Sequence, residues 1–385
     1  MTKKIIISFG GIIIGIVIGI VIIYSIFIPK NSSEVLINPL APKRQVIGFL
    51  PYWLLNRAKS DYSKYITTLT YFGLRVDKNG NIQKLLTPQE EEPGWYALNS
   101  GKLSPFFKDA QNHYVSLSLL VSNGDINSID QLVNDPIAHA KNLISDVSPI
   151  INKYKFSDLN LDIEYTQPAS DSARTGFTEF VNEVRKDLNK NITLTVEISP
   201  TDVILNHLID TKAIGKIADN VVLMAYDYHS TVSFVTGPVA PLGGAGVDSE
   251  YDVITALEKS LEDVPPEKLI LGIPLYGYEW ESLNPEPRSS IIPNTGLVAS
   301  NQRAKDFLSF CSTCSARLDS EARENYISYF DQNALDYHTI FYPTENSTVS
   351  KINLANNFQL GGLAVWALGY EGNSILKPLE GYKNE

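Results

Sequence analysis

Cysteine is scarce in this chain, with two copies among 385 residues. Two thiols, Cys311 and Cys314, cannot complete a structural zinc site, which normally takes four Cys or His ligands. The five histidines show no HxxxH spacing that could supply the missing ligands, so we expect no metal centre. In an exported domain this C-x-x-C pair can close as a short disulfide. Such a small loop would be a local clip and not a main source of stability.

Basic residues are outnumbered by acidic ones, which gives a formal net charge of −11 and a pI near 5.1. The chain therefore lacks the basic footprint of a nucleic-acid-binding protein, and neutral polymers or small molecules are better candidate partners. No GxGxxG sequence follows the first predicted strand, which argues against a dinucleotide-binding sheet. The apolar content of 44% excludes a disordered protein and can fill a large core.

Long apolar runs are missing except at residues 5–28, which carry no charge. Such a run is long enough to cross a hydrocarbon core about 30 Å thick as one helix. It exceeds the apolar region of a cleavable signal peptide and ends without a small-x-small cleavage site, so we favour an uncleaved membrane anchor. Lys3 and Lys4 precede the run, which predicts a cytoplasmic N-terminus and an extracytoplasmic remainder. Membrane lipid would then be a partner of residues 5–28.

Downstream of this anchor, residues 31–44 have the composition of a linker, and a folded region is predicted from residue 45 to about 380. Eight short apolar runs alternate with amphipathic, helix-like stretches, which is typical of parallel strands joined by crossover helices. The runs are residues 45–50, 66–74, 114–121, 158–165, 192–198, 220–226, 269–277 and 360–368. Eight such units predict an α/β fold, a closed (β/α)8 barrel of the TIM type. Residues 278–346 are predicted to form a small α+β insertion between strands seven and eight.

Polar and apolar residues alternate in the fourth run, "DLNLDIEY". Asn160, Asp162 and Glu164 share one face of the strand, and in a barrel that face would point inward. Glu164 would then lie at the C-terminal end of the strand, where such barrels carry their active sites. Partial desolvation and the Asp162 carboxylate should raise the pKa of Glu164, as suits a general acid. A solvent-facing stripe on an antiparallel strand is the alternative interpretation.

Two carboxylates on one strand point the same way, so they cannot easily flank a glycosidic bond from opposite sides. Some other nucleophile is therefore needed. At this point the chain resembles glycoside hydrolase family 18, the chitinase-like barrels, whose fourth-strand signature DGxDxDxE reads SDLNLDIE here. Further matches follow in order over roughly residues 45–375. They are "MAYDYH" (224–229), "TGPVAPL" (236–242), "LILGIPLYGYEW" (269–280) and "GGLAVWALG" (361–369).

The resemblance implies substrate-assisted hydrolysis of β-1,4-linked N-acetylglucosamine polymers, chitin or the glycan of peptidoglycan, without a cofactor. Glu164 would protonate the glycosidic oxygen, the substrate's own acetamido oxygen would attack, and Asp162 would stabilise the resulting oxazolinium ion. Tyr226 would bind the acetamido group and complete the catalytic set. The substrate-binding residues implied by the resemblance, or placed near the site as weaker candidates, are Asp227, Trp366, Asn160, Met224 and Tyr52. Trp53, Trp95 and Trp280 are weaker candidates for sugar platforms, with loop or core packing as the alternative.

Two departures from the family pattern raise alternatives. Asn160 stands where the family usually has an Asp, and it cannot carry a charge or share a proton with Asp162. The third strand, "SLSLLVSNGD", lacks the usual SxGG. These changes would also fit a catalytically silent chitinase-like lectin, although such lectins typically lose the acid that Glu164 retains here. A purely structural scaffold would leave the Asp162 and Glu164 pair unexplained.

Overall fold

The computed structural model describes residues 44–385 except for Ser60, Asn206, Asp248, Ser249 and Asn373. The predicted anchor at residues 5–28 and almost all of the predicted linker lie outside the described residues. Among the residues that the structure describes, no helix is both long enough and apolar enough to cross a membrane.

Strands and helices alternate along most of this region. The strands are β1 (Gln45–Pro51), β2 (Thr68–Arg75), β3 (Leu85–Thr87), β4 (Glu90–Glu91), β5 (Ser116–Asn123), β6 (Asp158–Ile163), β7 (Thr193–Ile198), β8 (Asn220–Met224), β9 (Leu269–Pro274), β10 (Tyr276–Ser282), β11 (Leu297–Ser300), β12 (Arg317–Asp319), β13 (Glu324–Asp331), β14 (Asp336–Tyr342) and β15 (Gly362–Trp366). The helices are α1 (Pro93–Asn99), α2 (Ser104–Asn112), α3 (Ile126–Leu132), α4 (Pro136–Tyr154), α5 (Asp171–Asp187), α6 (Pro200–Ile204), α7 (Thr211–Ile217), α8 (Val253–Leu261), α9 (Asn301–Phe310), α10 (Glu345–Asn357) and α11 (Lys377–Asn384).

Eight of the strands close into a parallel barrel in the order β1, β2, β5, β6, β7, β8, β9, β15 and back to β1. They coincide with the eight apolar runs of the sequence, so the predicted barrel is confirmed. Neighbouring strands pair in register, as Asn160 of β6 does with Thr195 of β7. This pairing sets which inward side chains lie side by side inside the barrel.

The two faces of β6 differ as its alternation predicts. Leu159, Leu161 and Ile163 are buried in the large apolar cluster between the barrel and its helices. Asp158, Asn160 and Asp162 are also buried, on the opposite face of the strand. The remaining interior is filled by a small apolar cluster from other strands, namely Ile47, Phe49, Leu120, Val222, Ile270 and Ala364. Buried polar groups are costly, so the polar side chains that β6 turns into the barrel point to a function there.

Between β9 and β15 the chain forms an antiparallel five-stranded sheet in the order β11, β10, β14, β13, β12, with α9 beside it. This insertion begins two residues earlier than predicted, because β10 starts at Tyr276. The structure joins Cys311 and Cys314, just after α9, in a disulfide. Trp280 lies in β10 and is fully buried, with its indole N–H donating to the Ser230 carbonyl at 3.0 Å. Of the two interpretations of Trp280, core packing is therefore correct and the sugar platform is not.

A buried ion pair connects this insertion to the barrel. Glu324 of β13 accepts hydrogen bonds from the backbone N–H groups of Val239 and Ala240 at 3.0 and 3.2 Å. Its other partner is Lys351 of α10, whose ammonium lies 3.3 Å away and is almost fully buried. The loop that contains Val239 follows directly from the segment that carries Tyr226, so this pair fixes one wall of the barrel mouth.

Candidate active site

Two adjoining cavities open at the C-terminal mouth of the barrel. The smaller, of about 120 Å³, is lined by Phe49, Phe72, Leu120, Asp162, Glu164, Glu197, Met224, Tyr226, Asp227 and Trp366. The larger, of about 360 Å³, shares Glu164, Glu197, Met224, Tyr226 and Asp227 with it and continues past aromatic and apolar residues of the surrounding loops. Six of the predicted site residues thus line one cavity, and Glu164 stands where the two cavities meet.

Glu164 is placed by the end of β6. Its backbone N–H donates to the Asn123 carbonyl of β5 at 2.9 Å, which continues the strand pairing by one residue. The side chain remains accessible to solvent through the cavities. Protein nevertheless surrounds much of the carboxyl, and burial raises its pKa, with the charges of Asp227 and Asp202 adding to the effect. A raised pKa lets a carboxylic acid hold its proton to higher pH, which suits a group that protonates a leaving group.

Asp162, two residues earlier on the same face, is only 3% exposed. Burial raises its pKa well above the usual range, and the Glu164 charge raises it further. Its Oδ1 atom has no hydrogen-bond partner within the described part of the chain. An unpaired, buried carboxyl oxygen beside a cavity is poised to meet a group that the cavity receives.

Asp227 adopts a left-handed backbone conformation, with φ of 62°. This conformation costs an ordinary residue about 1–3 kcal/mol, and it persists where the surroundings impose it. Here Asp227 Oδ1 accepts hydrogen bonds from the Tyr276 and Tyr278 hydroxyls of β10 at 2.5 and 2.8 Å. Burial raises the pKa of Asp227, and these two phenols partly offset the increase. The insertion therefore orients an acid of the barrel mouth.

Tyr226 and Trp366 supply the aromatic walls. Tyr226 lies against Gly272, where an added Cβ would come within 2.7 Å of the Leu223 carbonyl and 3.2 Å of the tyrosine ring, so only glycine leaves room. Burial raises the pKa of Tyr226, which therefore stays a hydrogen-bond donor. The Trp366 ring, at the end of β15, packs edge-on against Phe72 with centroids 4.9 Å apart and forms one wall of the smaller cavity.

Two predicted binding residues do not line either cavity. Asn160 is only 1% exposed, because each second residue along a strand lies about 7 Å further down the barrel. Its Nδ2 atom donates to Glu197 Oε1 at 2.6 Å. Tyr52 lies in the turn after β1, edge-on to Trp53 at 5.0 Å. Trp53 is 45% exposed, and its ring centroid lies 6.2 Å from that of Trp366. Trp53, and not Tyr52, therefore extends the aromatic surface that Trp366 forms.

Glu197 is the site residue that the sequence analysis missed. It is 3% exposed, points inward from β7 and lines both cavities. Burial raises its pKa well above the usual range and the Asp162 charge adds to this, while the hydrogen bond from Asn160 lowers it. The signal was present in "TLTVEI", where Thr193, Thr195 and Glu197 share one face of the strand.

Neutralising Asp227 should change the pH dependence of the site. Asp227→Asn keeps an oxygen for both tyrosine hydroxyls but removes a charge that raises the pKa of Glu164. Glu164 would then lose its proton at lower pH, so the alkaline limb of the kcat profile should move down by about one pH unit or less. Glu258→Gln, which removes an exposed charge on α8, should leave this limb in place. An unchanged limb in Asp227→Asn would show that this charge does not act on Glu164.

The parallel barrel and the acids at its mouth agree with the comparison to known proteins. The sequence model of glycosyl hydrolases family 18 matches residues 45–371. The chain belongs to this family. It is a glycoside hydrolase, and the resemblance noted in the sequence is confirmed.

Three known proteins are similar to this chain at 20 to 23% identity. The cortical fragment-lytic enzyme of Bacillus subtilis is 23% identical over 332 residues, covering 82% of this chain and 67% of the relative. The Group IV chitinase of Ostrinia furnacalis, solved with allosamidin, matches with a TM-score of 0.74 at 21% identity, covering 89% of this chain and 98% of that one. A family 18 chitinase from Cycas revoluta, solved with (GlcNAc)3, matches with a TM-score of 0.71 at 20% identity, covering 89% and 100%. At these identities the solved structures show a shared fold.

Proposed function

We propose that this glycoside hydrolase cleaves β-1,4-linked N-acetylglucosamine polymers, either chitin or the glycan of peptidoglycan, with retention of configuration. The observation that carries the proposal is the position of Glu164 at the junction of the two cavities. A sugar chain that passes from one cavity into the other presents a glycosidic bond to this acid. The (GlcNAc)3 complex of the Cycas chitinase supports the choice of N-acetylglucosamine.

In the proposed reaction the Glu164 carboxyl gives its proton to the glycosidic oxygen as the bond to the anomeric carbon breaks. The acetamido oxygen of the same sugar forms the new bond to that carbon. Asp162 and Glu164 project from the same face of one chain segment, so Asp162 is poorly placed to attack the anomeric carbon from the side opposite the leaving group. Its unpaired oxygen can instead face the acetamido nitrogen. Its negative charge then stabilises the positive oxazolinium ion, which water hydrolyses with Glu164 acting as base.

The remaining residues bind the reacting sugar. The Tyr226 hydroxyl donates to the acetamido oxygen, Asp227 accepts from a hydroxyl of the bound sugar, and the Trp366 ring packs under the sugar's apolar face. Met224 lines both cavities beside Tyr226 and completes the wall. Each role requires a side chain at the cavity surface, a condition that these four residues meet.

Incubating the full chain with chitooligosaccharides and, separately, with purified peptidoglycan tests this function. Hydrolysis of one substrate and not the other identifies the polymer. Binding of either substrate without any product would contradict the enzyme proposal and would favour the lectin alternative. Substrates whose reacting sugar lacks the N-acetyl group should not be cleaved, because the nucleophile is then missing.

We also propose that residues 5–28 anchor the protein in a membrane with the barrel on the extracytoplasmic side. The uncharged apolar run and the two preceding lysines support this proposal. The full chain should remain in the membrane fraction after alkaline extraction, whereas a chain lacking residues 2–30 should be released. Release of both would contradict the anchor.

A further inference from the structure

Asp162 and Glu197 form a pair of buried acids on neighbouring strands of the barrel interior. Both line the smaller cavity, and each is 3% exposed. The pairing of Leu161 with Val196 places Asp162 and Glu197 side by side on these strands. Two negative charges at adjacent positions of a buried site repel each other, so such a pair keeps one proton over a wide pH range. In the described part of the chain, no Lys, Arg or His lines either cavity to offset a second negative charge.

The surroundings of the two acids are unequal. Glu197 Oε1 accepts a hydrogen bond of 2.6 Å from the Asn160 amide, which favours the ionised form of Glu197. Among the described residues, Asp162 Oδ1 and Glu197 Oε2 both have no partner, so the two acids differ by the Asn160 hydrogen bond, which the Asp162 anion lacks. In the resting protein the negative charge should therefore reside on Glu197 and the proton on Asp162.

Other titratable groups also face this pair. Asp158 and Glu164 approach from β6, and the Tyr226 hydroxyl from β8. The Asp158 carboxylate lies one layer lower and accepts hydrogen bonds from the hydroxyls of Ser118, Thr193 and Thr195. Glu164 gives its own proton to the leaving group in the proposed reaction. Tyr226 keeps its proton. Glu197 is thus the acid that can exchange a proton with Asp162.

We propose that Glu197 is a positioning residue that carries the negative charge of the resting site and accepts the Asp162 proton when a positive charge develops on the substrate. This inference rests on the proposed function. The O–H bond of Asp162 breaks, an O–H bond forms on the Glu197 carboxylate, and the pair keeps one negative charge throughout. Both acids line the same cavity, so solvent in the cavity can relay the proton.

This arrangement gives a physical role to Asn160. A second Asp at position 160 would lie against Glu197 at hydrogen-bonding distance and would add a third interior acid to the pair. With Asn there, the amide holds the Glu197 anion in place. Glu197 of β7 therefore takes the place of the buried carboxyl that the family usually has at position 160 of β6.

Glu197→Gln tests the proposal, because Gln keeps the shape and an acceptor for Asn160 but cannot take a proton. Asp162 must then ionise without help from Glu197. The acid limb of the kcat profile should therefore move to higher pH by about one unit, with little change in KM. The double variant Asn160→Asp/Glu197→Gln exchanges the carboxyl and the amide between the two positions. It should return the acid limb towards the wild-type position.

Asp158→Asn is the matched control, since it removes a buried carboxyl from the same strand one layer lower. The Asp158 charge raises the pKa of Glu197, so Asp158→Asn should lower Tm and move the acid limb, if at all, to lower pH, opposite to the shift in Glu197→Gln. An acid limb that stays in place in Glu197→Gln, or a kcat that falls equally at every pH, would contradict the proposal and indicate a structural role.

A second measurement does not depend on turnover. Carboxyl ¹³C NMR titration of the full chain, assigned with Asp162→Asn and Glu197→Gln, should show Glu197 ionising at lower pH than Asp162. The reverse order would overturn the inference. A wild-type protein without hydrolase activity would refute the proposed function, whereas the order of ionisation would still decide this inference.

Discussion

Glu164→Gln should lower kcat by about 10³-fold while KM and the melting temperature stay near their wild-type values. Gln has the size of Glu but cannot donate a proton to the leaving oxygen. The Glu164 side chain is exposed and opens into the cavities, so the exchange should cost little stability. The variant should therefore bind chitooligosaccharides without cleaving them.

Hydrolysis rates and ligand binding should be measured on the same preparation of this variant. Glu258→Gln, an exposed position on α8, is the matched control and should retain full activity. A Glu164→Gln variant with more than about a tenth of wild-type kcat would show that another group supplies the proton.

The largest effect on stability is expected from Lys351→Met. This change leaves the fully buried Glu324 carboxylate with only two backbone N–H donors. Breaking one side of a buried ion pair typically costs about 3–5 kcal/mol of unfolding free energy. Urea denaturation at neutral pH should show a loss of this size.

The pH dependence of this loss has a defined sign. Burial already raises the pKa of Glu324, and Lys351 opposes that shift, so its removal raises the pKa further. The folded state then keeps a proton that the unfolded state releases, and stability falls as pH rises above the unfolded value of Glu. The loss should be smallest in mild acid. Adding Glu324→Gln should recover part of it, and an equal loss at every pH would contradict this account.

Much of the fold was predictable because its signal is local. The periodicity of apolar residues predicted all eight barrel strands, and the alternation in "DLNLDIEY" predicted the inward face that carries Asp162 and Glu164. Six site residues belong to short motifs at the C-terminal ends of barrel strands, either in the last residues of a strand or just after it. The C-terminal ends of the strands lie together at the mouth of a parallel barrel, so these residues come close to one another whatever the conformation of the loops.

The missed features depend on contacts between distant segments. A single Glu in "TLTVEI" looks like a surface residue until the pairing of Asn160 with Thr195 places Glu197 beside the site. The phenols of Tyr276 and Tyr278 reach Asp227 only because β10 folds back over the mouth. Neither relation can be read from spacing along one strand.

The central claim is that Glu164 and the substrate's own acetamido group cleave the bond with retention. Proton NMR of chitooligosaccharide hydrolysis, recorded before mutarotation, shows the anomer that forms first. The account predicts the β-anomer at the new reducing end. Initial release of the α-anomer would mean direct attack by water and would contradict it.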